Sequence, residues 1–177
     1  MTVSFKPVST EQQQEQLAAM ADEIWHEYWP AIIGRAQTDY MVQKFQSLEA
    51  IQRDMAEHGY QYWFMEDAEA DAQASGAGRI VGYTGGRIDE ETNRFFISKI
   101  YLYQHARGHG YARKTVEFYD ALCRERGLHA MYLTVNKGND LALRAYVGTG
   151  FEIIAAVVND IGEGFVMDDY IMERCVK

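Results

Sequence analysis

The sequence has few of the residues that identify secreted, membrane-spanning or nucleic-acid-binding chains. Only 2 of its 177 residues are cysteines, too few for a disulfide framework, so a reducing, cytoplasmic setting is expected. No stretch approaches the roughly 20 apolar residues of a membrane-spanning helix, and the first residues show no basic-then-apolar signal, so no membrane partner is expected. Acids outnumber bases by 26 to 17, and the net charge of -9 argues against a nucleic-acid partner.

Metal ligands are also scarce. The chain has no HExxH motif, and its two cysteines and five histidines do not occur at the spacing of a zinc site. His105 and His109 are four residues apart, but they flank a glycine in a predicted loop, so they do not form a helical ligand pair. We therefore expect no metal cofactor.

The composition is that of an ordinary globular protein. Hydrophobic residues make up 47% and charged residues 24%, and the length suits one domain with a sizeable core, so a single domain over 1–177 is expected. The only low-complexity stretch, residues 68–78, predicts a flexible hairpin loop.

Hydrophobic periodicity predicts strands and helices in the order βααβββαβαββ. The predicted strands cover 3–7, 60–66, 79–88, 95–103, 130–135, 151–159 and 165–174. The predicted helices cover 10–29, a stretch from Thr38 or Asp39 to about residue 57, 111–126, and a segment that starts at Asn139. This order by itself indicates an α/β protein with one sheet.

The stretch 104–114, QHARGHGYARK, lies between a predicted strand and a predicted helix. The start of a helix presents unpaired backbone N–H groups and a positive dipole end, and Gly108 and Gly110 let the backbone approach a ligand closely. The stretch carries Arg107 and two further basic residues but no acid, within an acidic chain. It therefore predicts a cradle for a polyanion.

The spacing of this cradle narrows the choice of polyanion. A dinucleotide fingerprint would need glycine or alanine where Arg113 stands, and no G-x-x-x-x-G-K-[ST] run occurs for a nucleotide phosphate loop. The pattern that is present is R-x-x-G-x-A, formed by Arg107, Gly110 and Ala112. Taken alone, this short pattern is equally compatible with a plain strand-to-helix turn that has a solvated basic rim.

A second segment follows one helix and one strand later. In NKGNDLALRAYVGTGF, Asn139 precedes Ala142 by three residues and Tyr146 by seven, and the pair Gly150-Phe151 closes the segment. On a helix that begins at Asn139, the side chains of Asn139, Ala142 and Tyr146 share one face, and Asn139 caps the helix.

The two segments, in this order and at this separation, resemble the GNAT superfamily of N-acetyltransferases, and the resemblance runs from about residue 95 to the C-terminus. It implies an α/β fold with a mixed, mostly antiparallel central sheet of about seven strands flanked by helices. It also implies acetyl-CoA as co-substrate and acetyl transfer to an amine by direct attack in a ternary complex. Homodimers are common in the superfamily, so the resemblance is compatible with a homodimer.

The resemblance further implies roles for individual residues. Tyr146 matches the general acid that protonates the CoA thiolate. The positions that match cofactor-binding residues are Ile100, Leu102, Arg107, Gly108, His109, Gly110, Tyr111, Ala112 and Asn139. The strand before the cradle lacks the acid that many members use as a base, which leaves His26, Glu27, Glu66 or a water molecule as candidates.

The resemblance implies that the acceptor binds over the first two helices and the hairpin of the last two strands. On the first helix, Trp25, Glu27 and Tyr28 combine acidic and aromatic character suited to a cationic amine. A solvated acidic face over a core-facing aromatic stripe would give the same pattern. A looser likeness to polyamine acetyltransferase-like members favours a small amine or polyamine as acceptor. The alternatives are a protein or peptide acetyltransferase, acting on an N-terminus or a lysine, and a non-catalytic acyl-CoA-binding module.

Overall fold

Seven strands form one sheet in the order β1-β2-β3-β4-β5-β7-β6 in a computed structural model that describes residues 2–70 and 79–176. The strands are β1 (Val3–Pro7), β2 (Gln61–Asp67), β3 (Ile80–Asp89), β4 (Arg94–Leu102), β5 (Ala130–Asn136), β6 (Glu152–Gly162) and β7 (Phe165–Cys175). The β4–β5 pair is parallel, whereas β1–β2, β2–β3, β5–β7 and β6–β7 are antiparallel. The expected mixed, mostly antiparallel sheet is confirmed. From residue 71 on, the hairpin loop predicted over 68–78 lies outside the described residues.

The helices are α1 (Glu11–Tyr28), α2 (Pro30–Ile33), α3 (Arg35–Phe45), α4 (Leu48–Glu57), α5 (Tyr111–Arg126) and α6 (Asp140–Gly148). A capping box starts α1: the Thr10 hydroxyl accepts from the N–H of Gln13 at 3.2 Å, and the Gln13 side chain accepts from the N–H of Thr10 at 3.0 Å. Pro30 follows the helix and opens α2, a position where its missing N–H costs nothing.

The single helix predicted from Thr38 or Asp39 to about residue 57 is wrong, because the chain forms α3 and α4 there. The break falls at Gln46 and Ser47, where Ser47 takes an extended conformation and its hydroxyl accepts from the N–H of Ala50 at 3.2 Å. Serine before a hydrophobic turn that contains Glu49 is an N-cap signal.

By its internal contacts the chain divides into two compact units. The first comprises residues up to Arg87 together with Lys99–Tyr111. Its core combines one face of α1 with side chains of β2, β3 and the segment after β4. The largest fully buried members are Leu17, Ile24, Ile51, Tyr62, Met65 and Tyr83.

The second unit comprises Ile88–Ser98 and the residues from Ala112 on. Its core brings the Phe95 ring of β4 to 4.9 Å from the Tyr119 ring of α5, measured between centroids. Cys123 of α5 is fully buried, where a cysteine packs as a small hydrophobe, and burial raises the pKa of its thiol to about 11.

Strand β6 occupies one end of the sheet order, and its sequence EIIAAVVNDIG is largely exposed. Within the described residues, every large hydrophobic side chain in the exposed class belongs to α6, β6 or β7. These residues are Leu141, Val147, Ile153, Ile154, Val158 and Val166. A long strand at the end of a sheet, with apolar side chains exposed, is a surface on which another chain can pack.

Candidate functional site

The predicted cradle forms the connection from β4 to α5 within the first unit. A short 3₁₀ helix, Gln104–Ala106, leads into Arg107, and Gly108 and Gly110 then adopt φ values of 81° and 84° before α5 begins at Tyr111. Side-chain-bearing residues rarely adopt this left-handed conformation. Apart from its chain neighbours, no atom among the described residues lies within 4 Å of the place where a Cβ would project from either glycine. The glycines are therefore required by backbone conformation rather than by protein packing.

The start of α5 supplies the electrostatic part of the cradle. The N–H groups of the first helical turn have no partner within the helix, and the helix dipole adds partial positive charge at the same point. Arg113 and Lys114 are exposed in this turn, and Lys114 Nζ pairs with Glu117 Oε2 at 2.8 Å. Glu117 thus partly neutralises the charge of Lys114 within the same helix.

The Arg107 side chain is fixed by three contacts. Its Nη1 lies 3.2 Å from Glu27 Oε1, its Nε donates to the Leu102 carbonyl at 3.1 Å, and its guanidinium carbon lies 4.6 Å from the centre of the Tyr28 ring. The guanidinium therefore ties the loop to α1 and to the end of β4. Sequence reasoning assigned Glu27 and Tyr28 to the acceptor, and the structure places both against the cradle arginine.

Two further residues of the loop are held by polar contacts. His109 Nδ1 lies 3.0 Å from the Arg107 carbonyl and 3.3 Å from the Ala106 carbonyl; both are acceptors, so Nδ1 carries the proton in these bonds. The Tyr111 hydroxyl donates to Asp67 Oδ2 at 2.7 Å. Burial and this carboxylate raise the pKa of Tyr111 to about 12.

The two strand residues expected to bind the cofactor, Ile100 and Leu102, are half-buried at the end of β4. The parallel pairing of β4 with β5 covers only Arg94 to Ile97, so both residues lie beyond it. The carbonyl of Leu102 accepts from Arg107, as described above. Between the two residues, Tyr101 packs its ring 5.3 Å from Trp25, centroid to centroid.

Trp25 is 2% exposed and also lies 5.1 Å from the Trp29 ring. Of the residues predicted to contact the acceptor, it is the one most enclosed by the core. The candidate bases on α1 are also occupied: Glu27 pairs with Arg107, and His26 contacts the Asp22 carbonyl at 2.8 Å and Asp39 at 2.9 Å. Both side chains, Glu27 and His26, are therefore already engaged by neighbouring groups rather than available to take a proton from the amine.

The second unit holds the other predicted site residues: Ala112, Asn139 and Tyr146. Asn139 is 6% exposed and caps α6, because its Oδ1 accepts from the N–H of Ala142 at 3.1 Å. Tyr146 lies in the last turn, half-buried, with its ring 5.8 Å from that of Phe151. Its carbonyl accepts from the N–H groups of Thr149 and Phe151, which end the helix and start β6. The expected helix with Asn139 as its cap is confirmed.

Sequence reasoning gave no role to Lys99, the only buried cation of β4. It is 5% exposed, its Nζ donates to the Tyr62 hydroxyl at 3.1 Å, and burial lowers the pKa of its ammonium to about 8. The available signal was a lysine in an alternating apolar strand, which is unusual because the ionised form is costly to bury.

Over residues 2–70 and 79–176, no group of three or more His, Cys, Asp or Glu side chains could hold a metal ion. Over the same residues, none of the helices has the length and apolar character needed to cross a membrane.

Comparison with known proteins places these features in a family context. The family model described as Acetyltransferase (GNAT) family matches residues 19–151. No curated protein matches the chain.

Solved structures of similar fold cover nearly the whole chain. The PaiA N-acetyltransferase from Thermoplasma acidophilum, in complex with coenzyme A, superposes with a TM-score of 0.73 at 16% identity and covers 99% of each chain. The spermidine N-acetyltransferase from Vibrio cholerae, in complex with CoA and spermine, gives 0.67 at 15% identity over 98% of this chain and 95% of that one. A dodecameric structure of the Vibrio cholerae enzyme gives 0.65 at 15% identity, over 98% and 93%.

Proposed function

Because the chain belongs to the GNAT acetyltransferase family, we propose that it transfers an acetyl group from acetyl-CoA to a primary amine by direct attack in a ternary complex. The observation that carries the proposal is the loop from β4 to α5, where Gly108 and Gly110 hold left-handed conformations immediately before the helix start. Such a loop suits the pyrophosphate of CoA, because phosphate oxygens can approach the exposed backbone N–H groups. A similar solved structure holds coenzyme A.

Acetyl-CoA would supply the acetyl thioester. The chain would bind it through the backbone of the loop and the start of α5, and Arg107 would add a fixed positive charge. The backbone of Ile100 and Leu102 supports the same assignment, because neither residue takes part in the β4–β5 pairing. Asn139 and Ala112 complete the set of cofactor residues that the family pattern suggests.

Tyr146 is the proposed general acid. In the transfer, a C–N bond forms to the amine, the C–S bond breaks, and the phenol of Tyr146 gives its proton to the departing thiolate. A phenol with a pKa of about 10 can protonate a thiolate whose parent thiol has a pKa near 8.5, once water is excluded from both. The amine must lose a proton to another group. Since His26 and Glu27 are held by neighbouring side chains, Glu66 and a water molecule are the remaining candidates.

We propose a small amine or polyamine as the acceptor. The chain carries a net charge of -9, and α1 carries exposed Asp22 and Glu23 as well as the aromatic Tyr28, and this acidic and aromatic character attracts cations. The spermidine N-acetyltransferase of similar fold, solved with spermine, supports this choice. A protein or peptide acceptor is the alternative, and the experiment below separates the two.

We also propose that the chain forms a homodimer through β6. This strand ends the sheet order, and its exposed Ile154 and Val158 add apolar surface to an edge of 11 residues. A second copy of the same strand can complete the hydrogen bonds of such an edge symmetrically. A dodecameric enzyme of similar fold supports self-association.

The test begins with calorimetric titration of the purified protein with acetyl-CoA, for which we expect a dissociation constant in the micromolar range. Thiol release is then followed with a panel of diamines and polyamines and, separately, with peptides that carry a free N-terminus or a lysine. Acceleration by the polyamines supports the proposed acceptor, whereas acceleration by peptides alone replaces it. Binding without release for any amine would indicate the non-catalytic module, and no binding would refute the proposal.

A further inference from the structure

The first unit contains a cavity of about 490 Å³ that none of the residues assigned above lines. Its lining residues are Phe45, Arg53, Asp54, His58, Tyr60 and Arg87. They come from the end of α3, the second half of α4, the segment between α4 and β2, and β3. The volume falls within the range of roughly 300–1,000 Å³ that is usual for small-molecule sites.

The charge of this cavity is opposite to that of the chain. Arg53, Arg87 and the titratable His58 face one acid, Asp54, in a protein whose acids outnumber its bases by 26 to 17. Arg53 contacts Asp54 only at 3.5 Å, and 45% of its side chain is exposed, so this exposed ion pair holds the guanidinium weakly. The Arg53 guanidinium can therefore turn toward an anion, and Arg87 adds a second positive charge to the lining.

A buried ammonium lies behind the wall of the cavity. Lys99 Nζ is 5.1 Å from the ring centroids of both Tyr60 and Tyr62, and Tyr60 is a lining residue. Among the described residues no carboxylate oxygen lies within 4.0 Å of Lys99, which is unusual for a lysine that is 5% exposed. An anion in the cavity would offset part of the cost of burying this charge.

The remaining wall is aromatic. Phe45 lines one part of the cavity, and Tyr60 lines another with its ring stacked 6.1 Å from that of Tyr62. Flat apolar surfaces together with arginines suit a carboxylate attached to an apolar or aromatic body, because the guanidinium binds the carboxylate in bidentate fashion while the rings pack against the body. A hydrated inorganic anion would leave the aromatic surface unused.

We propose that this cavity binds a small organic carboxylate with an apolar or aromatic body, held by Arg53 and Arg87 and favoured by the charge of Lys99. The site does not depend on acetyl transfer, and a chain that failed to bind acetyl-CoA could still contain it. The carboxylate has two possible sources: a separate small molecule, or the acceptor amine itself if the acceptor also carries an acid group.

Calorimetric titration with acetate, phenylacetate, 3-phenylpropionate and succinate tests the site directly. We expect at least one of the aromatic acids to bind with a dissociation constant below about 1 mM, and its neutral amide to bind at least about tenfold more weakly. Arg53→Gln and Arg87→Gln should each raise the dissociation constant of the acid about fivefold or more. Arg35→Gln changes an exposed arginine outside the lining and should leave that dissociation constant unchanged. Thermal melts of each variant confirm that it is folded.

The proposal is overturned if neither aromatic acid binds to the wild-type protein with a dissociation constant below about 1 mM, or if acid and amide bind equally. It is also overturned if the two lining variants, shown to be folded, bind the acid as well as the wild type does.

A kinetic comparison distinguishes the two sources. Phenylalanine and phenylethylamine are offered as acceptors with acetyl-CoA. If Arg87→Gln raises KM for phenylalanine alone with kcat unchanged, the carboxylate belongs to the acceptor. If the acids bind to the cavity but Arg87→Gln leaves KM for phenylalanine unchanged, a separate ligand occupies the site.

Discussion

Arg107 and Glu27 form an ion pair, with Nη1 3.2 Å from Oε1, that joins the loop after β4 to helix α1. The pair is only partly exposed, and it fixes Arg107, which also contacts the Tyr28 ring and the Leu102 carbonyl. The cradle thus has an orientation before any ligand arrives. Preorganised charge of this kind loses little freedom on binding.

Replacing Arg107 by alanine should weaken acetyl-CoA binding at least about tenfold, because the cradle loses both its fixed cation and its connection to α1. Calorimetry measures the dissociation constant, and a thermal melt should show a modest loss of stability. Arg35→Ala removes an exposed ion pair of similar chemistry in the same unit and serves as the control. Unchanged acetyl-CoA affinity in the Arg107 variant would contradict its assignment to the cofactor.

Gly110→Val should abolish measurable acetyl-CoA binding while leaving the chain folded. Its φ of 84° imposes a strain of about 1–3 kcal/mol on valine, and the branched side chain would stand where phosphate oxygens are expected. Gly127→Val is a matched control, because Gly127 has a φ of 68° and equally open surroundings but follows α5. Equal affinity in the two variants would show that backbone strain alone, not the cradle, explains any loss.

Tyr146→Phe should bind acetyl-CoA normally and lose about tenfold or more in kcat with a polyamine acceptor, since proton donation typically contributes 10²–10⁴-fold. Thiol release measures the rate, and calorimetry measures the affinity. Tyr132→Phe, which removes a hydroxyl that bonds to Asp89 at 3.0 Å, is the control for loss of a phenol in the same unit. Wild-type turnover in the Tyr146 variant would exclude the tyrosine as general acid.

Asp169→Asn should change how stability depends on pH. Asp169 is 2% exposed, and burial, assisted by the charge of Asp168, raises its pKa from 3.8 to about 6. A folded-state pKa above the unfolded value means that the protonated carboxyl favours the native state, so this stabilisation is lost as pH rises through about 6. The variant keeps a neutral side chain at every pH. Its free energy of unfolding, relative to that of the wild type, should therefore be about 2 kcal/mol higher at about pH 8 than at about pH 4.5.

Urea unfolding at both pH values measures this difference. Glu125→Gln, which removes an exposed carboxylate in the same unit, should follow the wild type at both. If the free energies of unfolding of the Asp169 variant and the wild type differ by the same amount at both pH values, the pKa of Asp169 is not raised.

Val158→Lys should convert the proposed homodimer into a monomer, because it places a charge on a side chain that is 62% exposed on β6 and would be buried against a second copy. Light scattering on a sizing column measures the mass. Gln43→Lys, exposed on α3, adds the same charge elsewhere and should leave the mass unchanged. A monomeric wild type would contradict the dimer.

The features that could be predicted from the sequence are those with local signals. All seven strands and helices α1, α5 and α6 lie within three residues of the predicted bounds, because alternation, caps and glycines act over a few neighbouring residues. Asn139 illustrates this: the helix that it was expected to cap is present and capped. The break at Ser47 was missed although its cap signal is local, since the apolar periodicity continues across it.

The features that could not be predicted depend on contacts between distant segments. Glu27 and Arg107 are 80 residues apart in the sequence, and neither residue type indicates that the other is its partner. The same holds for the lining of the cavity, which draws Phe45 and Arg87 from separate elements. The roles of the predicted site residues themselves stay predictions, to be tested by the variants above.

The first unit is discontinuous along the chain, and this affects the order of folding. Its core includes Tyr103, Ala106 and Tyr111, which follow the excursion of Ile88–Ser98 into the second unit. During synthesis from the N-terminus, the early helices and β1–β3 must therefore wait, with apolar surface uncovered, until residue 111 has left the ribosome. A fragment that ends at Arg87 would lack the cradle and the side chains that close the core, so we expect truncation there to give an aggregating product rather than a smaller folded protein.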